Sequence, residues 1–321
     1  MRIRKILLIL TAVILYGCAV LFCRSAKEDA NRTYLLLSEP IGAARAEDIF
    51  TREAALPDSV GFCFWGEEKN QWVSCKETGG VAEVTAVLLS GNLGLLDAEK
   101  LTWQEGCFLD ESTAQRLFGT ADCSEQSAWH DDRPYRVLGT IPATQPTRIA
   151  VAEESDGLVL NRCVLDVTAE TGQQTVQQFL LRWGLQGECV DFYPLWVAVY
   201  NFLLIPPLFL ILGIFFRGRK QNQSRVRQII LFLTTPYLLV FLGSRILFLP
   251  DMFPSRWSDF SFWGNWLEAQ KENIQLVLLT PMGERHLQML LNMVKSILST
   301  TAAALLTLWT FRRQTYANTA D

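Results

Sequence analysis

The first apolar stretch of the chain reads ILLILTAVILYGCAVLF and covers residues Ile6–Phe22. Three further apolar stretches follow in the last third of the sequence, at Pro194–Phe216, Ile229–Leu249 and Leu287–Phe311. Each stretch is roughly 17–25 residues long, which is the length a helix needs to cross the hydrocarbon layer of a bilayer. The sequence therefore predicts four transmembrane helices.

Basic residues flank these stretches on one side of the predicted membrane. They precede the first stretch, fill the link between the second and the third, and follow the fourth: Arg2, Arg4, Lys5, Arg217, Arg219, Lys220, Arg225, Arg227, Arg312 and Arg313. Cytoplasmic loops collect Lys and Arg, so we predict that both termini and the basic link lie in the cytoplasm. The long polar region after the first stretch is then extracytoplasmic.

These boundaries predict an α+β membrane protein with an extracytoplasmic mixed α/β domain inserted between transmembrane helices 1 and 2. In chain order the predicted segments are a cytoplasmic N-terminus 1–5, helix 6–23, the outer domain 24–190, helix 191–216, a cytoplasmic basic link 217–228, helix 229–249, an extracytoplasmic aromatic loop 250–286, helix 287–311 and a cytoplasmic tail 312–321. No small-x-small cleavage signal follows Phe22, so we interpret the first helix as an uncleaved anchor.

Charge is distributed unevenly along the chain, and the formal net charge of −4 hides this. From Arg24 to Glu188 there are 14 Lys and Arg against 26 Asp and Glu, a balance of −12. An acidic outer domain argues against nucleic acid as a partner, because nucleic acid is bound through basic surfaces. The basic link suits anionic membrane lipid or an acidic protein surface.

Catalytic and cofactor motifs are missing from the sequence. It has neither a Gly-x-x-x-x-Gly-Lys-Ser/Thr phosphate loop nor a Gly-x-Ser-x-Gly elbow, and its two histidines, His130 and His286, are not spaced as zinc ligands. We expect His130 in a solvated loop, and Glu67 and Glu68 solvated on opposite faces of a strand. The sequence thus predicts no enzyme active site, cofactor site or metal site.

Six of the eight cysteines fall in the outer domain: Cys63, Cys75, Cys107, Cys123, Cys163 and Cys189. An even number of cysteines in an exported domain permits disulfides, but no pair has Cys-x-x-Cys spacing. The alternative is that most are small buried apolar residues, and we favour this interpretation.

Local patterns predict the elements of the outer domain. We expect a helix over Ala43–Leu56, a hairpin formed by Val60–Trp65 and Gln71–Cys75, a helix that Asp110 caps and Gly119 ends, an amphipathic helix over Thr171–Gly184, and strands over Val81–Leu89, Gly106–Asp110, Tyr135–Ile141 and Arg148–Ala152. The amphipathic helix is either a stalk that leads to the membrane or a helix packed on the outer sheet.

Three polar residues lie inside the predicted membrane helices. Asn201 is expected to bond a neighbouring helix rather than a substrate, whereas Arg245 and Lys295 are expected to extend toward the outer membrane surface. Pro206 and Pro207 remove two backbone donors and should kink their helix. In the aromatic loop, Trp263, Trp266, Leu267 and Gln270 suit a short interfacial helix, with protein docking as the alternative.

Two stretches of the outer domain together resemble a known domain. Cys107–Gly119 reads CFLDESTAQRLFG, and Tyr135–Ile141 reads YRVLGTI. This order of strand, helix ending in Leu-Phe-Gly, hairpin and Tyr-x-Val-x-Gly strand resembles the extracytoplasmic core domain of MacB-type ABC transporter permeases. The predicted layout of one span, an outer domain and three more spans also resembles that of MacB/FtsX-like permeases.

The resemblance implies a non-catalytic, dimeric permease subunit of the cytoplasmic (inner) membrane, with a second permease copy or a homologue beside it. It also implies an ABC ATP-binding subunit in the cytoplasm, whose action moves the outer domain without passing substrate through the membrane. The coupling residues would be Arg217, Arg219, Lys220, Arg225 and Arg227 in the basic link.

One segment departs from the family pattern. Family members usually carry a Glu-Arg-x-x-Glu-Ile-Gly coupling segment after the second span, whereas Arg217–Arg227 reads RGRKQNQSRVR and lacks the acidic pair. A second hypothesis therefore stays open, in which the protein is a membrane-anchored sensor or scaffold. Its outer domain would then bind a ligand or partner without an ATPase.

Overall fold

The computed structural model describes residues 2–96, 106–143, 145–152, 159–168, 173–220, 235–249, 253, 261–279 and 284–317. Contacts between Cα atoms divide the chain into two compact units. The first, which we call the sheet unit, contains Asn31–Asp191 and Gln275–Leu287. The second, the helical unit, contains Met1–Ala30, Phe192–Ile274 and Gln288–Asp321.

The described residues of the sheet unit form a mixed nine-stranded sheet. Its strands are β1 Arg32–Ile41, β2 Phe62–Ser74, β3 Val81–Gly91, β4 Cys107–Asp110, β5 Ser127–His130, β6 Arg133–Ile141, β7 Thr147–Val151, β8 Leu160–Thr168 and β9 Gly187–Val190. The strand order is β3-β7-β4-β6-β5-β2-β8-β1-β9, and β2 also pairs with β3. This extra pairing closes six strands into a ring, from which β8, β1 and β9 extend.

Three helices accompany the sheet: α2 Ala43–Ala54, α3 Glu111–Phe118 and α4 Gln173–Trp183. One face of the sheet and the apolar sides of these helices form the hydrophobic core, in which Phe62, Phe64, Ile49, Leu117 and Phe179 are at most 2% exposed. Burial of each such side chain contributes about 1.5–3 kcal/mol relative to its exposure. The core therefore holds the helices on one face of the sheet.

The predicted signals at both ends of α3 are confirmed. The Asp110 carboxylate accepts a hydrogen bond from the Thr113 amide at the first turn, as an N-cap residue does. Gly119 ends the helix with a φ of 74°, in the left-handed region that glycine enters at little cost. Ala114 and Leu117 point into the core.

The predicted hairpin within residues 60–75 is wrong. β2 runs without interruption from Phe62 to Ser74, and the hairpin partner is β3. The register shifts between Glu68 and Gln71, where β2 carries one more residue than β3, and Asn70 has a φ of 61°. A bulge absorbs the polar residues that looked like a turn. The actual turn lies between Ser74 and Val81.

The amphipathic helix predicted near residue 180 is α4, and it packs on the core of the sheet unit. Val176 and Phe179 are buried, and Leu180 and Trp183 pack against the core cluster. The strand β9 then follows α4 before the next helix begins. The structure thus favours the alternative of a helix packed on the sheet over that of a stalk.

The helical unit contains one helix that precedes the long segment of the sheet unit in the sequence and several helices that follow it. They are α1 Arg2–Ala30, α5 Tyr193–Phe202, α6 Ile205–Lys220, α7 over residues 235–243, α8 Phe262–Leu279 and α9 Glu284–Ala317, although the last residues of α8 and the first of α9 group with the sheet unit. Among the described residues, three helical segments are long and apolar enough to cross a membrane: Leu7–Ala30, Tyr193–Gly213 and His286–Thr310.

The span predicted at Ile229–Leu249 begins outside the described residues, and its described part is helical over 235–243. The count of four spans therefore stays a prediction. In the predicted aromatic loop, α8 is an 18-residue helix, longer than the short interfacial helix that we expected.

Small residues on α1 form its buried side within the helical unit. Ala19, Cys23 and Ala26 are at most 2% exposed. Ser296 Oγ donates to the Ala19 carbonyl at 2.9 Å, and Trp196 Nε1 donates to the Cys23 carbonyl at 3.0 Å. Small side chains let helix backbones approach closely, so α1 contacts both α5 and α9.

Pro206 and Pro207 coincide with a break in the predicted second span. α5 ends at Phe202 and α6 starts at Ile205, so both prolines lie in the first turn of α6, where a helix needs no N–H donor from them. In place of the single kinked helix that we predicted, the structure has two successive helices, α5 and α6.

Candidate functional site

Five polar or aromatic side chains gather on the sheet face opposite the core, and we call them the His286 cluster: Tyr34 from β1, Trp65 and Glu67 from β2, Arg162 from β8 and His286 from the first turn of α9. Leu35, Phe64 and Cys163 belong to the core. Because successive side chains in a strand alternate between faces, Tyr34, Trp65 and Arg162 point the other way.

The His286 ring contacts two aromatic rings of the sheet. Its centroid is 4.2 Å from that of Tyr34, in an edge-on arrangement at 80°, and 6.0 Å from that of Trp65, nearly parallel at 14°. The Tyr34 and Trp65 rings in turn meet edge-on at 6.4 Å. His286 is 1% exposed. The start of α9 is thus held against β1 and β2 by ring contacts.

A buried ion pair lies beside these rings. Arg162 Nη1 is 2.8 Å from Glu67 Oε1, and the two side chains are only 8% and 12% exposed. Arg162 is the register partner of Trp65 across the β2–β8 pairing. The expected solvation of Glu67 is therefore wrong, although Glu68 is exposed as expected. A carboxylate at this position neutralises a guanidinium that the sheet takes out of water.

His130 does not lie in a solvated loop, contrary to our expectation. It is the last residue of β5, its side chain is 12% exposed, and its Nδ1 is 3.0 Å from the Trp72 carbonyl oxygen. Since a carbonyl oxygen only accepts, Nδ1 carries the proton in this contact. The contact ties β5 to β2 near their single bridge, Ser74 to Trp129.

Five of the six outer cysteines are buried, as we expected, and Cys189 is exposed. All eight cysteines of the chain are described, and each is free. Burial raises the pKa of Cys63 to about 12. Burial likewise raises the pKa of Cys107 to about 12, although the nearby Arg148 guanidinium opposes the rise. Thiols with such pKa values are poor nucleophiles.

Sequence reasoning missed Arg148, which is only 1% exposed. Its guanidinium carbon lies 4.6 Å from the ring centroid of Tyr135, the tyrosine of the Tyr-x-Val-x-Gly motif. A cation over an aromatic face is stabilised by the ring quadrupole. The predicted strand alone does not reveal that Arg148 is buried against Tyr135, because a single arginine at a strand end is usually solvated.

The predicted coupling residues lie at the end of α6 and beyond it. Arg217, Arg219 and Lys220 belong to the last turn of α6, whereas Arg225 and Arg227 lie outside the described residues. Their proposed role stays a prediction.

The three polar residues predicted within membrane helices contact three different partners. Asn201 Nδ2 donates to the Leu247 carbonyl at 2.8 Å, and the Leu247 amide donates to Asn201 Oδ1 at 3.0 Å. The Arg245 guanidinium carbon lies 5.0 Å from the Phe241 ring centroid. Lys295 Nζ lies 5.7 Å from the ring centroid of Phe22 in α1. Asn201 thus satisfies the backbone of the segment that follows α7.

Neither a protein-family model nor a curated protein matches the chain. Several solved structures match part of it, including two that are similar to about half of it. The periplasmic region of MacB from Actinobacillus actinomycetemcomitans matches with a TM-score of 0.39 and 8% identity, over 51% of this chain and 90% of that one. The extracellular domain of the ABC-type transporter YknZ from Gram-positive bacteria matches with a TM-score of 0.36 and 12% identity, over 50% of this chain and 97% of that one.

Proposed function

We propose that this protein is a non-catalytic, permease-like membrane subunit of the MacB/FtsX type. A cytoplasmic ABC ATP-binding subunit drives it, and the sheet unit performs its work outside the membrane. The observation that carries the proposal is the arrangement of the two motif halves. β4 and α3 hold Cys107–Phe118, and Gly119 caps the end of α3. β6 holds Tyr135–Ile141, and β4 pairs in parallel with β6, with Leu109 opposite Thr140.

The position of the sheet unit in the sequence also supports the proposal. Most of it lies between the first and second candidate spans, and the third candidate span follows later in the chain. In this proposal Ile229–Leu249 supplies the fourth span, and the termini and the basic link face the cytoplasm of an inner-membrane protein. A second copy or a homologue completes the permease, with anionic lipid at the link.

The test is purification of the full chain from its native membranes in mild detergent. We expect an ATPase of the ABC type to co-purify in a fixed ratio. Replacing the five link residues Arg217, Arg219, Lys220, Arg225 and Arg227 by glutamine should remove the ATPase. The matched control replaces Arg312 and Arg313, which are also basic and lie beyond the last span, and should retain it. Reproducible absence of an ATPase from the unmodified protein contradicts the proposal.

The basic character of the link favours one alternative, a membrane-anchored sensor or scaffold whose sheet unit binds a ligand or an envelope partner. Such a protein needs no acidic coupling segment after its second span. Deletion of Arg219–Arg227 separates the two functions when the variant is used to complement a strain that lacks the protein. A sensor or scaffold keeps its activity after this deletion, whereas a permease subunit loses it.

A further inference from the structure

We propose that Arg148 binds a small monovalent anion, of the size and charge of chloride, in the interior of the sheet unit. This site goes beyond the proposed function and does not depend on it. Arg148 lies on β7 and is 1% exposed. Arginine is almost never fully buried unless a group of opposite charge is paired with it, so this guanidinium needs a counter-charge.

The register of β7 places the Arg148 side chain on the core side of the sheet. Ala150, two residues further along β7, belongs to the hydrophobic core, and side chains two residues apart in a strand share one face. Arg148 is opposite Ala86 of β3 and Leu109 of β4. These neighbours have apolar side chains, so none of them offers the guanidinium a side-chain acceptor.

The donors of the guanidinium are not all paired within the described part of the chain. Arg148 Nε and Nη1 are buried there without a hydrogen-bond acceptor. The Asp110 carboxylate belongs to the neighbouring strand, but it accepts from the Thr147 amide and from the first turn of α3. Buried donors in native proteins are nearly always hydrogen-bonded. Two unpaired donors on one buried cation therefore point to an acceptor from outside the chain.

The other groups near the guanidinium do not cancel its charge. The Tyr135 ring, with its centroid 4.6 Å from the guanidinium carbon, stabilises the cation but carries no net charge. The Cys107 thiol stays neutral, because burial raises its pKa to about 12 although Arg148 opposes the rise. A bound water would pair a donor but leave the buried charge uncompensated, which is costly in an apolar interior. An anion pairs the donors and also neutralises the charge.

Arg162 shows what the same sheet does with a buried arginine when an acid is available. Its Nη1 is 2.8 Å from Glu67 Oε1, and its side chain is 8% exposed. Arg148 is buried more deeply, yet within the described ranges it forms no ion pair with a carboxylate. We infer that the counter-ion of Arg148 comes from the solution, whereas that of Arg162 comes from the chain.

The surroundings of Arg148 select the kind of anion. One guanidinium balances one negative charge, and the apolar neighbours Ala86, Leu109 and Ala150 disfavour divalent anions such as sulfate, which lose more hydration energy on burial. A halide accepts hydrogen bonds from any direction, so it suits donors that do not converge as a carboxylate would require. Chloride is the halide that we use as the probe.

Thermal melting of the full chain in detergent tests the site. Raising chloride from about 1 mM to about 300 mM, with gluconate holding the ionic strength constant, should raise the melting temperature by about 5 °C. In Arg148→Met, which removes the charge but keeps a long side chain, the melting temperature should be the same in both salts. The matched control Arg136→Met removes an arginine on β6 that is 50% exposed, and it should keep the chloride effect.

A chloride effect of equal size in the unmodified protein and in Arg148→Met overturns the proposal, and so does the absence of any effect in the unmodified protein. Neither result bears on whether an ATPase binds the chain.

Bromide locates the anion directly and covers the case in which Arg148→Met does not fold. Crystals of the unmodified full chain grown in bromide should give an anomalous-scattering peak within hydrogen-bonding distance of the Arg148 guanidinium. Arg148→Lys, which keeps the charge but has a single nitrogen, should retain a weaker chloride effect on melting. Bromide peaks confined to surface residues, with none at Arg148, overturn the proposal.

Discussion

Glu53 Oε1 lies 2.9 Å from Arg182 Nη1, so a carboxylate near the end of α2 is paired with a guanidinium near the end of α4. The same carboxylate accepts from the Trp183 indole at 2.7 Å and from the Val60 amide at 3.0 Å. Its side chain is 1% exposed. One buried acid therefore joins two helices and the segment between α2 and β2.

Glu53→Ala should lower the free energy of unfolding by about 2 kcal/mol, because it leaves partly buried donors without their acceptor. Thermal melts of the full chain in detergent measure this. Asp58→Ala is the control, since Asp58 also pairs with Arg182, at 2.7 Å, but is 68% exposed. An exposed pair contributes little, so its melt should barely change. Equal losses of unfolding free energy in the two variants would contradict the role of Glu53 as the buried acceptor that joins α2 and α4.

The Asp110 cap predicts a pH dependence of stability. Burial raises the pKa of this carboxyl, but hydrogen bonds from Ser112, Thr113 and the Thr147 amide outweigh burial and lower it overall. A carboxyl whose pKa is lower in the folded state stabilises the fold above the unfolded-state pKa of about 3.9, and this contribution is lost as the pH falls.

Asp110→Asn should therefore be less stable than the unmodified protein at pH 7 by about 1–3 kcal/mol, because an amide nitrogen cannot accept the hydrogen bonds that both carboxylate oxygens accept. The difference should shrink as the pH is lowered through about 4 and below. Melting temperatures across this pH range provide the measurement, with the exposed Asp122→Asn as the control. A difference that grows on acidification would show that Asp110 does not hold its negative charge in the fold.

Thiol reactivity should distinguish Cys189 from the other cysteines of the sheet unit. A maleimide reagent at pH 8 should label Cys189 much faster than Cys63 and Cys107 in the folded protein, because Cys189 is exposed and the other two are buried. The pKa of all three thiols is raised by burial, to about 11 for Cys189 and to about 12 for Cys63 and Cys107, so access to the reagent decides the difference more than ionisation does. Peptide mass spectrometry identifies the sites. Denaturant should expose all of them. Rapid labelling of Cys63 in the folded state is the contrary outcome.

Asn201→Leu should destabilise the helical unit, because both backbone groups of Leu247 lose their partner. A loss of about 1 kcal/mol is expected, because these groups are partly buried and stay partly open to water. The matched control is Asn292→Leu, whose exposed amide makes only a 3.4 Å contact with Ser25. Melting in detergent compares the two. If Asn201→Leu and Asn292→Leu melt at the same temperature, the Asn201 hydrogen bonds do not stabilise the helical unit.

Local signals in the sequence were sufficient for elements whose ends are set by neighbouring residues. α3 is the clearest case, since Asp110 and Gly119 act within a few residues of the helix that they bound. The hairpin predicted within residues 60–75 was wrong because it also relied on a local signal, since Gly66–Asn70 is locally typical of a turn. Pairing with β3 along the whole strand overrides that preference and places the extra residue in a bulge.

The His286 cluster lay beyond sequence reasoning because it depends on distant pairing. Trp65 meets Arg162 only through the β2–β8 register, and His286 joins them from a segment near the last candidate span. No spacing rule links a histidine at the start of a helix to rings on strands so far away in the chain. The alternation of β2 placed Glu67 and Glu68 on opposite faces, but it did not reveal which face was covered.

The pairing of β1 with β9 sets how the sheet unit responds to force. Tyr34, near the start of β1, is opposite Val190, at the end of β9, so the long segment of this unit, Asn31–Asp191, begins and ends at adjacent points. Tension applied at Asn31 and Asp191 therefore pulls β1 and β9 apart from one end of their pairing, so that the hydrogen bonds between them break one after another. We expect a ladder loaded in this direction to yield at lower force than one loaded in shear, and we expect β9, which pairs only with β1 among the described strands, to detach first.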